Sequence, residues 1–114
     1  MKNNKLIGNI GESKVIAKFC EFGIPIFIPF GDNERIDLIA QFFGKLNRIQ
    51  IKTSSVDNGE YVIFPTSSSY NHTTNKHRQF YDKSMIDYFA LYNIKRDQIY
   101  IIPVDFNSEI THKN

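Results

Sequence analysis

The chain is organised around the segment from Arg35 to Thr53. This segment reads RIDLIAQ at 35–41, a short turn around Gly44, and RIQIKT at 48–53. Both halves alternate with period two and are rich in β-branched residues, which predicts two paired strands. Each half also carries polar residues among the apolar ones, an Asp in the first and a Gln and a Lys in the second. Buried polar side chains weaken a fold unless they are hydrogen-bonded or face a cleft, so these three are candidates for function.

The expected register of this hairpin brings the polar residues together. If Gly44 and Lys45 form a two-residue turn, Asp37 lies directly opposite Lys52. Gln50 and Lys52 share one face of their strand, about 6–7 Å apart, because strand side chains repeat every two residues. One edge of the hairpin would then carry a carboxylate, an amide and an ammonium, whereas a longer turn would shift this pairing.

The bulk composition indicates one ordinary globular domain spanning residues 1–114. The chain has 114 residues, 41% of them hydrophobic, and a formal net charge of +2. That charge is too small to argue for a polyanionic partner by itself. Cys20 is the single cysteine, so neither an intrachain disulfide nor a thiolate cage for zinc can form. We expect it to be a buried free thiol on the first helix.

The apolar runs of the chain are short. None approaches the roughly 18 residues that a membrane-crossing helix needs, and no secretory signal is recognisable before the first helix. We therefore expect a soluble, intracellular (cytoplasmic) protein with no membrane partner.

Residues 4–22 are expected to form a helix. Apolar residues recur at three- and four-residue spacing, through Leu6, Ile10 and Ala17 to Cys20, and Gly23 is placed to end the helix as a C-terminal cap. Glu12 falls at the margin of the apolar stripe, where its carboxylate could reach a cleft. Two alternatives stay open for Glu12, a capping box with Asn9 and a simple solvated carboxylate.

Further strands and one short helix follow from the remaining apolar runs. Strands are predicted at 24–30, 60–65, 86–92 and 99–104, a short helix at 79–85, and a frayed polar tail from Asn107. Between them, residues 66–79 are rich in hydroxyl and amide side chains, and their only charges are basic. Such a segment could contact phosphates and sugars, but a plain mobile loop would look the same. The order of elements fits an α/β sandwich with a central mixed sheet.

The unusual polar residues form an ordered set: Glu12 on the first helix, Asp37 on the second strand, and Gln50 and Lys52 on the third. This arrangement resembles the PD-(D/E)XK nuclease superfamily, in which a helical acid precedes a β-hairpin bearing an acid and then an acid-x-Lys triplet. Here Gln50-Ile51-Lys52 stands in place of acid-x-Lys. The chain is similar in this respect to the homing endonucleases encoded within group I introns, which use Gln in that position.

The resemblance covers most of the chain. Its segments are GNIGE at 8–12, PFGDN at 29–33, IDLIA at 36–40, IQIKT at 49–53, IDYF at 86–89 and IYIIPV at 99–104. It implies an α/β, restriction-endonuclease-like αβββαβ core with a central mixed sheet flanked by helices. It also implies a metal-dependent, site-specific DNA endonuclease of the homing type.

The same resemblance implies roles for the ordered set. Mg²⁺ or Mn²⁺ would be bound by Asp37, the side-chain oxygen of Gln50 and the backbone carbonyl of Ile51, with Glu12 as ligand of a second ion or of a water. Hard divalent ions prefer such oxygen ligands. Lys52 would orient the attacking water and stabilise the transition state. Catalysis would thus rest on Glu12, Asp37, Gln50 and Lys52.

Double-stranded DNA is the implied partner, bound by a homo-oligomer (dimer or tetramer), since one small chain offers little contact surface. The DNA-binding candidates are basic or groove-reading residues: Lys45, Arg48, Tyr70, Asn71, His72, Asn75, Lys76, Arg78 and Lys83. Two alternatives remain beside the homing endonuclease. One is a structure-specific nuclease resembling Holliday-junction resolvases, which generally carry an acid where this chain has Gln50. The other is a catalytically inactive DNA-binding module of the same fold.

Overall fold

The computed structural model describes residues 4–31, 35–55, 61–65, 85–105 and 109–113. The elements are α1 (Asn4–Glu21), β1 (Ile26–Phe27), β2 (Leu38–Phe42), β3 (Lys45–Ser54), β4 (Tyr61–Pro65), β5 (Tyr88–Asn93), β6 (Gln98–Pro103) and β7 (Glu109–Lys113). The helix expected at 79–85 and the polar segment at 66–79 lie outside the described residues, apart from Met85. Within the described part of the chain, no helix is both long and apolar enough to cross a membrane.

The first helix ends as the sequence predicts. Gly23 adopts a φ of 71°, its N–H donates to the Cys20 carbonyl at 3.0 Å, and the Ile24 N–H donates to the Phe19 carbonyl at 2.9 Å. This pair of bonds is a Schellman motif, which favours glycine because its backbone reaches positive φ without strain.

The buried face of α1 differs from the predicted one. Gly11, Val15 and Phe19 are buried, whereas Cys20 is exposed. The expectation of a buried thiol was therefore wrong. The buried positions recur every four residues and begin at Gly11. Because glycine has no apolar side chain, it does not mark this buried face in the sequence.

Five strands form the predicted central mixed sheet, in the order β1-β2-β3-β5-β6. The β3–β5 pair is parallel, and the other pairs are antiparallel. A separate two-stranded sheet joins β4 to β7, so the expectation of a frayed tail was wrong for Glu109–Lys113. The strand expected at 24–30 is reduced to Ile26–Phe27, and Asp87 precedes β5 instead of lying within its strand.

The β2–β3 hairpin has a different turn from the predicted one. Phe42 pairs with Lys45, so the turn residues are Phe43 and Gly44, with φ of 55° and 73°. Two positive φ values belong to a type I′ turn, whose twist suits a two-residue hairpin. Asn47 secures it, since its Nδ2 donates to the carbonyls of Ala40, Phe42 and Lys45 at 3.0–3.1 Å.

This turn shifts the register of the whole hairpin. Leu38 pairs with Ile49, so the next position back, Asp37, adjoins Gln50. The predicted opposition of Asp37 to Lys52 was therefore wrong. The side-chain bonds of Asn47 favour the observed turn, and they depend on tertiary geometry that periodicity alone does not report.

The core forms on both faces of the sheet. One cluster, which includes Val15, Phe19, Leu38 and Ile49, packs α1 against the sheet. The second contains Ile86, Phe89, Leu91 and Val104. Successive residues of β5 contribute to opposite clusters, because strand side chains alternate between faces. The central strands β3 and β5 are thereby held in fixed relative positions.

Candidate active site

The site lies where the pairing of β3 with β2 on one edge ends and its pairing with β5 on the other edge begins. Residues 45–49 of β3 pair with β2, and residues 49–54 pair with β5. Beyond Ile49, β2 no longer pairs with β3, so a fork opens between the two strands. Asp37 lies at the point of this fork, immediately before β2.

Asp37 closes the β2–β3 ladder with both its backbone and its side chain. Its N–H donates to the Ile49 carbonyl at 2.8 Å. Its Oδ2 accepts the Ile51 N–H at 2.7 Å and Gln50 Nε2 at 3.0 Å. Both bonds are accepted by Oδ2, and the other carboxylate oxygen, Oδ1, takes part in neither. Since the N–H and C=O of one strand residue point to the same edge, the Ile51 carbonyl also faces the fork.

The charge of Glu12 acts on Asp37. Burial raises the pKa of Asp37, the Ile51 N–H lowers it, and the negative charge of Glu12 raises it again. The helix and the hairpin thus bring two carboxylates near each other in a half-buried place. Like charges held together in this way are relieved by a cation.

The close packing of α1 on β3 places Glu12 there. Gly11 is buried against Thr53, and a Cβ at Gly11 would lie 2.9 Å from the Thr53 Cβ and 3.0 Å from its Cγ2. Only glycine allows the helix this approach. Glu12 follows directly, at the margin between the buried and exposed faces of α1, as the sequence predicts.

Lys52 is a half-buried cation of the site. Burial lowers its pKa, the carboxylate of Asp37 raises it, and the positive charge of Arg35 lowers it further. Arg35 did not figure among the predicted site residues. It precedes Asp37 by two positions in an alternating stretch, and this spacing is the sequence signal that could have revealed it.

Gln50 offers an oxygen to the fork. Its Nε2 is bonded to Asp37, while its Oε1 is buried and accepts no hydrogen bond from any described residue. A buried acceptor without a donor is costly, so this oxygen is suited to a cation or an incoming donor.

A large cavity lies away from this fork. It measures about 1240 Å³ and lies between α1 and β6, with Lys14, Phe22 and Tyr100 among its lining residues. None of Glu12, Asp37, Gln50, Ile51 and Lys52 lines it. The chemistry-bearing residues are therefore gathered at the fork and not in this apolar cleft.

Comparison with known proteins identifies the family. The family model described as PD-(D/E)XK endonuclease matches residues 2–113, nearly the whole chain. The chain belongs to the PD-(D/E)XK endonuclease family. Its fold is similar to that of a solved bacterial homing endonuclease, I-Ssp6803I, with a TM-score of 0.79 and 24% sequence identity over 98% of this chain and 79% of that one. The comparison with curated proteins gave no match.

PD-(D/E)XK endonucleases generally use divalent metal ions, and the fork of this one suits such an ion. Its oxygens come from two carboxylates, the buried amide oxygen of Gln50 and the Ile51 carbonyl, which are hard ligands. Among the described residues, no group of three His, Cys, Asp or Glu side chains comes together. A metal ion held here would therefore need the amide and the carbonyl as ligands as well as Asp37 and Glu12.

The predicted DNA-binding residues of this endonuclease are only partly described. Lys45 is exposed at the start of β3. Arg48 is bound to Asp87 through two guanidinium hydrogen bonds of 3.0 Å, a pairing that the sequence did not indicate. The other candidates lie outside the described residues: Tyr70, Asn71, His72, Asn75, Lys76, Arg78 and Lys83. All nine assignments stay predictions.

Proposed function

We propose that this chain is a divalent-metal-dependent, site-specific endonuclease of the homing type, which hydrolyses phosphodiester bonds in duplex DNA with Mg²⁺ or Mn²⁺. The observation that carries the proposal is the fork between β2 and β3. There the Asp37 carboxylate accepts Gln50 Nε2, beside a buried Gln50 oxygen that accepts no hydrogen bond from the described residues, and Lys52 lies two residues further along β3.

The charges of the fork suit phosphodiester hydrolysis. Two acidic side chains, Glu12 and Asp37, are matched by two basic ones, Arg35 and Lys52, so the group is formally neutral. When bound by Asp37, Gln50, Ile51 and Glu12, a divalent ion would supply the surplus positive charge that the transition state at phosphorus requires.

Lys52 acts directly on the reacting groups in this proposal. Its ammonium holds the attacking water and stabilises the negative charge that develops on the phosphate oxygens. Asp37 keeps this ammonium charged, since it raises the pKa that burial lowers. Gln50 orients the Asp37 carboxylate through the 3.0 Å hydrogen bond from Nε2.

Two features support the homing type over other nucleases of the family. Gln occupies the position where an acid is usual, and the fold is similar to that of a protein whose title describes it as a bacterial homing endonuclease. A homo-oligomer, dimer or tetramer, would give the small chain the long contact surface that a homing target needs.

The experiment measures cleavage of three substrates: a randomised duplex library, supercoiled plasmid and a four-way junction, each with Mg²⁺, Mn²⁺ or Ca²⁺. Sequence-dependent double-strand breaks in the library with Mg²⁺ or Mn²⁺ are the expected result. A strong preference for the junction would replace the homing function by a resolvase-like one. Binding without any cleavage would indicate an inactive module.

Point variants assign any observed activity to the fork. Asp37→Ala and Lys52→Ala should each lower the cleavage rate by more than about a hundredfold, because even changes outside the ligands of a metal site cost about 10–100-fold. The matched controls are Glu21→Ala and Lys18→Ala, an exposed pair on α1. Equal activity in the Asp37 and Glu21 variants would contradict the proposal.

A further inference from the structure

Arg48 and Asp87 form the most completely bonded ion pair in the described part of the chain. Arg48 Nε donates to Asp87 Oδ2 and Nη2 to Oδ1, each at 3.0 Å. The Arg48 backbone N–H also donates to Oδ2, at 2.8 Å, and the Asp87 N–H returns a bond to the Arg48 carbonyl at 2.9 Å. Four hydrogen bonds thus join these two residues.

The pair differs from the other ion pairs of the described residues in its burial. The side chains of Arg48 and Asp87 are 31% and 23% exposed, against 49–66% for the Lys14–Asp97 and Lys18–Glu21 pairs. Exposed pairs contribute little to stability, whereas a two-pronged, partly buried pair fixes geometry. The bonds from Arg48 also lower the pKa of Asp87, so its carboxylate stays ionised.

The location of the pair connects it to the active site. It stands at the entrance of the parallel β3–β5 ladder, one residue before the first registered pair, Ile49 with Tyr88. The far end of this ladder is closed by the Ile94 N–H, which donates to the Ser54 carbonyl at 2.9 Å. The Asp87 carbonyl also accepts the Val104 N–H at 3.0 Å, which extends the junction toward β6.

The segment between these two ends is the catalytic part of β3. From Gln50 to Lys52 its β2 edge has lost strand pairing and is met by the Asp37 carboxylate. The position of this segment is therefore set by the β5 ladder on the opposite edge. If β3 came loose from β5 here, residues 50–52 would lose the edge that holds them, and Gln50 and Lys52 would move relative to Asp37, which stays bonded to Ile49.

We propose that Arg48 and Asp87 are positioning residues of the active site, whose four hydrogen bonds hold β3 against β5 so that Gln50 and Lys52 meet Asp37 at the fork. Arg48 thus acts through the strand and not by contact with DNA phosphate. The expected loss of DNA cleavage when this pair is removed rests on the proposed function. The expected change in the geometry of the fork does not.

Hydrogen exchange tests the fork without any substrate. In folded Asp87→Ala, the Ile51 amide should exchange about tenfold faster relative to the amides of the β2–β3 ladder at 38–47. A merely structural role would accelerate both sets equally. Asp87→Asn, which keeps one acceptor oxygen, should restore part of the difference. The matched control is Asp97→Asn, which removes a hydrogen-bonded carboxylate at the far end of β5 and should leave the ratio unchanged.

Metal binding and cleavage provide the second readout. Asp87→Ala should weaken the affinity for Mn²⁺ alone by about tenfold and lower kcat by about 10–100-fold, with KM within about threefold of wild type. Arg48→Lys keeps the charge but loses the two-pronged geometry, and it should show the same pattern to a smaller degree. This variant also serves if Asp87→Ala fails to fold.

The outcomes separate this inference from the proposed function. An unchanged Ile51 exchange ratio in both folded variants would overturn the positioning role, whatever the activity. A raised KM and a smaller salt dependence of DNA binding in Arg48→Lys, with kcat unchanged, would also overturn it in favour of phosphate contact. A shifted exchange ratio in a protein that binds no Mn²⁺ and cuts no DNA would retain the positioning role and reject the endonuclease.

Discussion

Gly11 lies where α1 approaches β3 most closely, and its replacement by Ala offers a direct test of this packing. A Cβ at Gly11 would clash with Thr53 Oγ1 and would lie 2.9 Å from the Thr53 Cβ and 3.0 Å from its Cγ2. Rotation of the Thr53 side chain moves Oγ1 and Cγ2 but leaves Cβ in place. Relief therefore requires the helix to move away from the strand.

The magnitude follows from two opposing effects on the free energy of unfolding. Overpacking at a site without room costs about 3 kcal/mol, at the upper end of the usual range. Ala in place of Gly inside a helix returns about 1 kcal/mol through helix propensity. Gly11→Ala should therefore destabilise the protein by about 2 kcal/mol.

Gly8 provides the matched control on the same helix. A Cβ there would meet no atom within 4 Å, so Gly8→Ala carries the propensity gain without the clash. It should stabilise the protein by about 1 kcal/mol. The difference between the two variants, about 3 kcal/mol, isolates the overpacking at Thr53 because the propensity contribution cancels.

Urea denaturation followed by circular dichroism measures both variants, with Thr53→Ala added to form a double-mutant cycle. Thr53→Ala removes Oγ1 and Cγ2, so it should rescue part of the loss in Gly11→Ala and none in Gly8→Ala. Cleavage by folded Gly11→Ala should fall as well, because the helix that carries Glu12 is displaced from the fork. Equal stabilities of Gly8→Ala and Gly11→Ala would refute the close approach of α1 to β3.

Three further predictions concern single residues. Since burial raises the pKa of Asp37 above 3.8, its ionised form weakens the fold. Asp37→Asn should therefore be more stable than wild type at pH 7 in urea titrations, with the advantage appearing only as the pH rises above about 4, and should cleave no DNA. Phe43→Asn should raise the free energy of unfolding by about 0.5–1 kcal/mol in the same titration, because Asn tolerates the φ of 55° in a type I′ turn. Cys20 should react with a thiol reagent in native buffer as fast as in urea, since it is exposed. Slower reaction in native buffer would contradict the placement of Cys20 on the exposed face of α1.

Much of the fold could be read from local pattern. The hairpin at 35–53 and the helix at 4–22 have strong periodicity or a recognisable cap, and both are present. Residue type also singled out Asp37, Gln50 and Lys52, because polar side chains in apolar strands require a partner or a cleft. The structure brings these three to one fork, where the charge of Glu12, the fourth predicted residue, acts on Asp37.

The remaining features depend on contacts between distant segments. The turn of the hairpin is set by Asn47, whose amide donates to three carbonyls. The resulting register places Asp37 opposite Gln50 instead of Lys52. The pairing of Arg48 with Asp87 joins residues 39 positions apart. No local pattern distinguishes such an arginine from one on an exposed surface.

Strand alternation and the cost of buried polarity act over a few residues, so the amino-acid sequence alone indicated the hairpin and singled out its polar residues as candidates for the chemistry. Where these residues meet depends on the tertiary structure. Packing between segments far apart in the chain produces three features. The pairing of β3 passes from β2 on one edge to β5 on the other, α1 contacts Thr53 through Gly11, and Arg48 joins Asp87. That packing opens the fork, because a strand paired on one edge alone leaves its other edge free to hold a carboxylate.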